Sequence, residues 1–167
     1  NANYEVVDNV LYNKNMDTIL LVPNNANVTI SSTVKKIGYS AFAGNNAIKD
    51  LTIPTTIEEI GDYAFAYSTI EKVNFNNTSA TLGDYLFYYS SVNEITNIDN
   101  IKTIPAYTFT NTKLVDVSLG DDVTIKYGAF ANIETLATVE IGNNATIGDY
   151  AFYHSFKNGG TATLKSG

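Results

Sequence analysis

His154 stands beside Ser155 and is the single histidine among 167 residues. A base-activated nucleophile needs the imidazole within hydrogen-bond reach and an acid to orient it. Sequence neighbours rarely present that geometry, so His154 reads as a surface residue. Paired acids occur at Glu58-Glu59 and Asp121-Asp122. Glycoside hydrolysis needs two carboxyl groups roughly 5–10 Å apart across a cleft, and adjacent acids read as charged turns. Lys157-Asn158-Gly159-Gly160 lacks the spacing of a phosphate-binding loop and reads as a turn. Cysteine is absent, which excludes disulfides and thiolate metal sites. No calcium-binding loop spacing occurs. The sequence therefore assigns no catalytic residue, no metal ligand and no cofactor. Four glycosylation sequons begin at Asn27, Asn76, Asn77 and Asn144 and matter only in a eukaryotic secretory setting.

What remains is binding chemistry. The chain holds 12 Tyr and 8 Phe but no Trp. Tyr67, Tyr88, Tyr89, Tyr153 and Phe156 gather in three similar stretches, with His154 among them. Aromatic side chains of this kind anchor protein partners or stack on sugar rings; equally, they pack between turns. The net charge of −7 and pI near 4.5 argue against a nucleic-acid groove and against anionic membrane surfaces. No apolar run approaches the ~20 residues that span a bilayer. The chain begins Asn1-Ala2-Asn3-Tyr4, which suggests a mature or excised piece.

The element that positions these residues is a repeat. Six related blocks run Ile37–Phe42, Ile60–Phe65, Leu82–Phe87, Ile104–Phe109, Ile125–Phe130 and Ile147–Phe152. Their closing phenylalanines are 23, 22, 22, 21 and 22 residues apart. A fixed period in this range marks a solenoid, whose units bury their apolar faces against neighbours. The block opens on a Gly in most copies, and Asp62, Asp84 and Asp149 follow it. A short helical or 3₁₀ turn capped by that Asp is expected, with the Phe driven inward. Three residues beyond the Phe stands a small polar residue (Asn45, Ser68, Ser90, Thr112, Ser155), replaced once by Ile133. Such a residue can satisfy buried backbone groups of the turn.

Each block follows a strand-like triplet: Val28-Thr29-Ile30, Leu51-Thr52-Ile53, Val73-Asn74-Phe75, Ile95-Thr96-Asn97, Val117-Ser118-Leu119 and Val139-Glu140-Ile141. Alternation points the outer members inward and the middle one outward. The outward row is Asp50 and Thr52, Lys72 and Asn74, Glu94 and Thr96, Asp116 and Ser118, Thr138 and Glu140. Solenoids use such a sheet as an extended binding surface, yet this row lacks the Trp, Tyr and Arg of binding hot spots and reads as well as a solvated face. Ala80-Thr81-Leu82, Val123-Thr124-Ile125 and Ala145-Thr146-Ile147 suggest a second short sheet. The fourth unit displaces one residue at Asn97-Ile98-Asp99-Asn100, the mark of a bulge. Residues 1–27 lack the repeat; Val10–Tyr12 and Ile19–Val22 predict a β-hairpin cap. Thr161–Leu164 could start a seventh strand, and the uncapped end suggests a longer array.

With Ile48 three positions ahead, Leu51-Thr52-Ile53-Pro54 followed by Ile60-Gly61-Asp62-Tyr63-Ala64-Phe65 resembles the BspA-like leucine-rich repeat family. The resemblance covers nearly the whole chain. The family often has Cys where this chain has Asn, Ser or Thr after the Phe. It implies extracellular or cell-surface proteins of bacteria and some protists, with adhesion to host matrix proteins and cell–cell aggregation among their roles. The expected fold is a β-dominated α/β leucine-rich-repeat solenoid of about six units spanning 28–167, capped by 1–27. The expected function is a non-enzymatic interaction module whose partner is a protein on a host or bacterial surface, extracellular matrix included. The alternatives are a structural spacer and a carbohydrate-binding surface.

Overall fold

The computed structural model describes residues 3–165. The chain winds into a β-solenoid of about seven turns. The strands are β1 (Tyr4–Val7), β2 (Val10–Asn13), β3 (Thr18–Leu21), β4 (Lys36–Ile37), β5 (Asp50–Thr52), β6 (Glu59–Ile60), β7 (Lys72–Asn74), β8 (Thr81–Leu82), β9 (Glu94–Thr96), β10 (Thr103–Ile104), β11 (Asp116–Ser118), β12 (Thr124–Ile125), β13 (Thr138–Ile141), β14 (Thr146–Ile147) and β15 (Thr161–Leu164). The hairpin expected near the amino terminus is β2–β3, and β1 adds a further antiparallel strand. β3 then pairs in parallel with β4, so the cap feeds directly into the coils. Residues 1, 2, 166 and 167, at the outer limits of the two proposed segments, lie outside the described residues.

Successive coils stack in register. Leu51 faces Val73 and Val73 faces Ile95 in one sheet; Val117, Val139 and Ala162 align in another. The period-2 alternation holds: Leu51, Val73, Ile95, Val117 and Val139 are buried, while Asp50, Thr52, Lys72, Glu94, Thr96, Asp116, Ser118, Thr138 and Glu140 are exposed. The second face carries the two-residue strands β4, β6 and β8, then β10, β12 and β14. Between the faces, Phe42, Phe65, Phe87, Phe109, Phe130 and Phe152 form one file with centroid separations of 5.0, 5.2, 5.6, 5.2 and 5.4 Å. Five of the six rings are fully buried. Each burial is worth roughly 1.5–3 kcal/mol.

Three expectations are revised. Val28-Thr29-Ile30 buries Ile30 but joins no ladder. The chain just before it is tied to the cap, where Asn45 Nδ2 donates to the carbonyls of Pro23 and Ala26. In the fourth unit Asn97 adopts a left-handed backbone (φ 55°) and Ile98 takes the inward place. β9 and β11 are consequently not paired, and the strand face divides into β5–β7–β9 and β11–β13–β15.

The third revision concerns the Phe block, where among the described residues there is no helix. The block is a run of overlapping β-turns. Ala64 N–H donates to Gly61 O and Ala66 N–H to Tyr63 O. Alternate amides leave the coil altogether: those of Tyr63, Phe65 and Tyr67 donate to the carbonyls of Asp84, Leu86 and Tyr88. Tyr85, Phe87 and Tyr89 repeat this with Ala106, Thr108 and Thr110. A helix would spend those donors within its own coil. Stacking instead requires them to point along the solenoid axis, and a positive φ at every fourth residue achieves that. Type II turns have this sign pattern.

The coils approach closely at the Gly in the second place of that block. A Cβ on Gly83 would lie 2.4 Å from the backbone nitrogen of Asp62 and 2.6 Å from the carbonyl carbon of Gly61. Gly83→Ala must therefore push two backbones apart. The expected cost is about 1–3 kcal/mol, as for overpacked cores, read as a lowered thermal midpoint. A melt identical to wild type would contradict this stacking distance.

Candidate functional site

Among the described residues, the acids, Ser155 and His154 named above do not come together in one site. Glu58 and Glu59 pair with Lys35 and Lys36 of the preceding coil at 3.1 and 2.9 Å. Such exposed pairs contribute at most about 1 kcal/mol. Asp121 accepts from the Asn143 amide and Asp122 from Asn144 Nδ2, again between coils. Ser155 Oγ donates to Phe130 O and accepts from Ile133 N–H, so it is structural. His154 stacks on Tyr153 at 4.1 Å. Among the described residues no group of acids and His could hold a metal ion.

Part of the outward strand row is engaged across coils. Lys72 pairs with Glu94 at 3.0 Å, and Thr138 Oγ1 donates to Asp116. Asn74 is half-buried, and its Oδ1 accepts from Asn76 N–H and Asn97 Nδ2 at 2.8 and 2.9 Å. Groups engaged this way lose a bond when a partner takes them.

The tyrosines behave differently. Ten of the 12 collect on the flank formed by the turn blocks. Tyr63, Tyr85 and Tyr107 stack with centroids 4.6 and 4.8 Å apart, nearly parallel. Tyr39, Tyr127 and Tyr150 extend the column by edge-on or tilted contacts. Tyr67 and Tyr89 form a second short row 6.1 Å apart, with Tyr88 wedged against both. Tyr67, Tyr89 and Tyr153 are 57%, 53% and 49% exposed, as the sequence reading needs for an accessible surface. Tyr88 is half-buried and both packs and faces the flank. Phe156 lies elsewhere: it packs on Phe152 at 5.8 Å and covers the end of the file.

Six of these tyrosines share a left-handed backbone with the residues at the equivalent positions of other coils, Ser40, Asn111, Asn132 and His154. Tyr63, Tyr67, Tyr85, Tyr89, Tyr107 and Tyr150 all have φ between 54° and 58°. Bulky residues rarely adopt that region, at a cost of order 1–3 kcal/mol each. Gly occupies the equivalent positions at Gly44 and Gly128, with φ 72° and 61°. The backbone alone would accept Gly throughout. Ring stacking at ~0.5–1.5 kcal/mol per pair offsets part of the strain.

Gly128 stands where neighbouring coils carry Tyr107 and Tyr150, and there Tyr127, one residue earlier, keeps a ring in the column, 5.4 Å from Tyr107 and 5.3 Å from Tyr150. A cleft of about 310 Å³ lies beside Gly128. Tyr107, Tyr127, Tyr150 and Tyr153 form its walls, with Ala131 and Asn132 at its base. Burial, and then the neighbouring phenols, raise the hydroxyl pKa of Tyr63, Tyr85, Tyr88 and Tyr127 above the usual tyrosine range. These four phenols are thus neutral donors at physiological pH. From sequence alone Tyr63 and its equivalents read only as turn residues, so the column does not stand out there. Its signal was the recurrence of Tyr at one repeat position.

The model of the BspA-type leucine-rich repeat region matches residues 22–136 in six copies. The chain belongs to this family. A crystal structure of a leucine-rich repeat protein from Eubacterium ventriosum superposes with TM-score 0.72 at 24% identity, over 93% of this chain and 50% of that one. The pneumococcal vaccine antigen PcpA gives TM-score 0.55 at 19% identity, over 99% of this chain and 38% of that one. The BspA-type chain thus spans half or less of these two structures. At such identities they share its fold. No curated protein matches the sequence.

Proposed function

We propose that this BspA-type array is a non-enzymatic protein-interaction module of a cell-surface or secreted protein. Its contact surface is the tyrosine flank, Tyr67, Tyr88, Tyr89 and Tyr153 together with the Tyr63–Tyr85–Tyr107 column. One observation carries the reading: six tyrosines are held at positive φ where Gly fits the backbone better. Tyr supplies large, rigid contact area at low entropic cost, and Ser, Gly and Asn around it supply adaptable polar contacts. Ser40, Gly128, Asn111 and Asn132 occur on the same turns. The outward strand row, with Asp50, Thr52 and Lys72, is the lesser candidate because it lacks hot-spot residues. The likeness to a vaccine antigen supports an extracellular setting.

The test is a binding assay against immobilised extracellular matrix proteins and intact bacterial cells. Retention of wild type, and its loss in Tyr67→Ala/Tyr89→Ala with an unchanged melt, is the expected result. Undiminished binding by that variant would move the contact surface elsewhere. No retention of wild type on any of these surfaces would count against the module.

A further inference from the structure

The flank has a charge and a spacing that define the partner further, granted that it is the contact surface. The carboxylates that bear on its phenols are Asp62 at Tyr63, Asp84 at Tyr85 and Asp149 at Tyr127. Two of them are pinned in place: Asp62 Oδ1 accepts from the Asp84 amide and Asp84 Oδ1 from the Ala106 amide, both at 2.9 Å. Lys126, next in sequence to Tyr127, lines a different cavity, with Lys102 and Thr81 on the two-residue strand face. The aromatic column is therefore edged by negative charge, on a chain whose net charge is −7. A cation placed there meets a carboxylate and the face of a Tyr together, and both attract it.

The spacing concerns shape. Coils repeat at about 4.8 Å, so two coils advance about 9.6 Å. The rings of Tyr63, Tyr85 and Tyr107 follow that repeat at 4.6 and 4.8 Å. A polyproline II strand has three residues per turn at about 3.1 Å each, or about 9.3 Å per turn. Laid along the solenoid axis, it meets every second coil with every third residue and slips by only about 0.3 Å per turn. Aromatic-lined grooves are the usual receptors for such preformed strands. The cleft beside Gly128 is such a groove, lined by Tyr107, Tyr127, Tyr150 and Tyr153.

We infer that the tyrosine flank binds an extended, proline-rich segment bearing Lys or Arg, laid along the solenoid axis. Proline rings enter the cleft lined by Tyr107, Tyr127, Tyr150 and Tyr153, and basic side chains meet Asp84 and Asp149. The neutral phenols and Asn132 donate to the segment's carbonyls, which polyproline II leaves free.

Three labelled peptides test this by fluorescence anisotropy: repeating Arg-Pro-Pro, Glu-Pro-Pro and Arg-Gly-Ser. Arg-Pro-Pro is expected to bind at least about tenfold tighter than either of the others, and to weaken as salt rises. Gly128→Ala, whose Cβ would press on the Tyr107 ring at 2.9 Å from a backbone at φ +61°, should weaken it and lower the melting point, whereas the exposed substitutions Tyr127→Ala and Asp149→Lys should each weaken it with little change in melting. Equal affinity for Arg-Gly-Ser would reduce the effect to charge and overturn the inference. So would equal affinity for Glu-Pro-Pro, or indifference to all three substitutions. Displacement of no peptide but occupation of the cleft by a neutral oligosaccharide would also overturn it. If Tyr67→Ala/Tyr89→Ala abolishes surface binding while Arg-Pro-Pro fails to bind, the interaction module stands and only this inference falls.

Discussion

Phe87→Ala is expected to destabilise the protein by about 3–5 kcal/mol, the range for truncating a buried aromatic. Phe87 is fully buried and stacks on Phe65 at 5.2 Å and Phe109 at 5.6 Å, with Phe75 edge-on at 6.3 Å. Its removal opens a void in the middle of the file, and the neighbouring rings lose a contact on one side. The surrounding backbone cannot collapse to fill it, because Phe87 N–H is bonded to Thr108 O and Leu86 O accepts from Phe65 N–H. In a solenoid each unit is stabilised by its nearest neighbours. The damage should therefore reach both flanking coils, and the denaturation profile should broaden as the two halves uncouple. Equilibrium denaturation measures both. A loss under about 1 kcal/mol would mean that the ring is not packed between its neighbours.

Asn45→Ala should cost about 3 kcal/mol or more, although it deletes only a small polar side chain. Asn45 is fully buried. Its Nδ2 donates to Pro23 O and Ala26 O at 3.0 and 2.9 Å, and its Oδ1 accepts from the Ala47 and Ile48 amides at 3.1 and 2.9 Å. Pro23 O retains a bond from Ala26 N–H, but the other three groups lose their side-chain partner. Each buried polar group left unsatisfied costs about 1–3 kcal/mol, and such costs do not simply add. The same bonds join the cap to the first turn block, so amide exchange in residues 18–37 should accelerate before that of the later coils. Uniform exchange across the chain would show that Asn45 does not clamp the cap.

Much of the fold is legible because its two periods are simple. The 22-residue spacing of Phe65, Phe87 and Phe109 sets the coil, and alternation in Leu51-Thr52-Ile53 sets which side faces inward. Both depend on side-chain hydrophobicity, which sequence displays directly. The turn block is harder. Tyr63-Ala64-Phe65 has nothing against a helix locally, and its true conformation is imposed by donors reaching Asp84 and Leu86 one coil later. Non-local bonds of that kind leave no mark in local propensity. A trace exists in Gly44 and Gly128, since Gly alternating with Tyr at each of two repeat positions signals positive φ. The flank was half visible for the same reason. Tyr67, Tyr88, Tyr89, Tyr153 and Phe156 stand out in the sequence as a cluster, of which Phe156 packs elsewhere, whereas the Tyr63–Tyr85–Tyr107 column depends on turns that present side chains outward.

Within each ladder the coils lie in register, each one repeat further along than the last. Because the chain has no cysteine, paired substitutions report on this cleanly. Thr52 and Asn74 face each other across β5 and β7, and Ser118 and Glu140 across β11 and β13. Cysteine pairs at 52/74 and at 118/140 should each oxidise to an intramolecular disulfide, since adjacent parallel strands lie within its reach. A pair at 52/96, which skips a coil, should remain reduced under the same conditions. Oxidation of 52/96 with 52/74 left free would contradict the stacked register on which the fold and the tyrosine flank both depend.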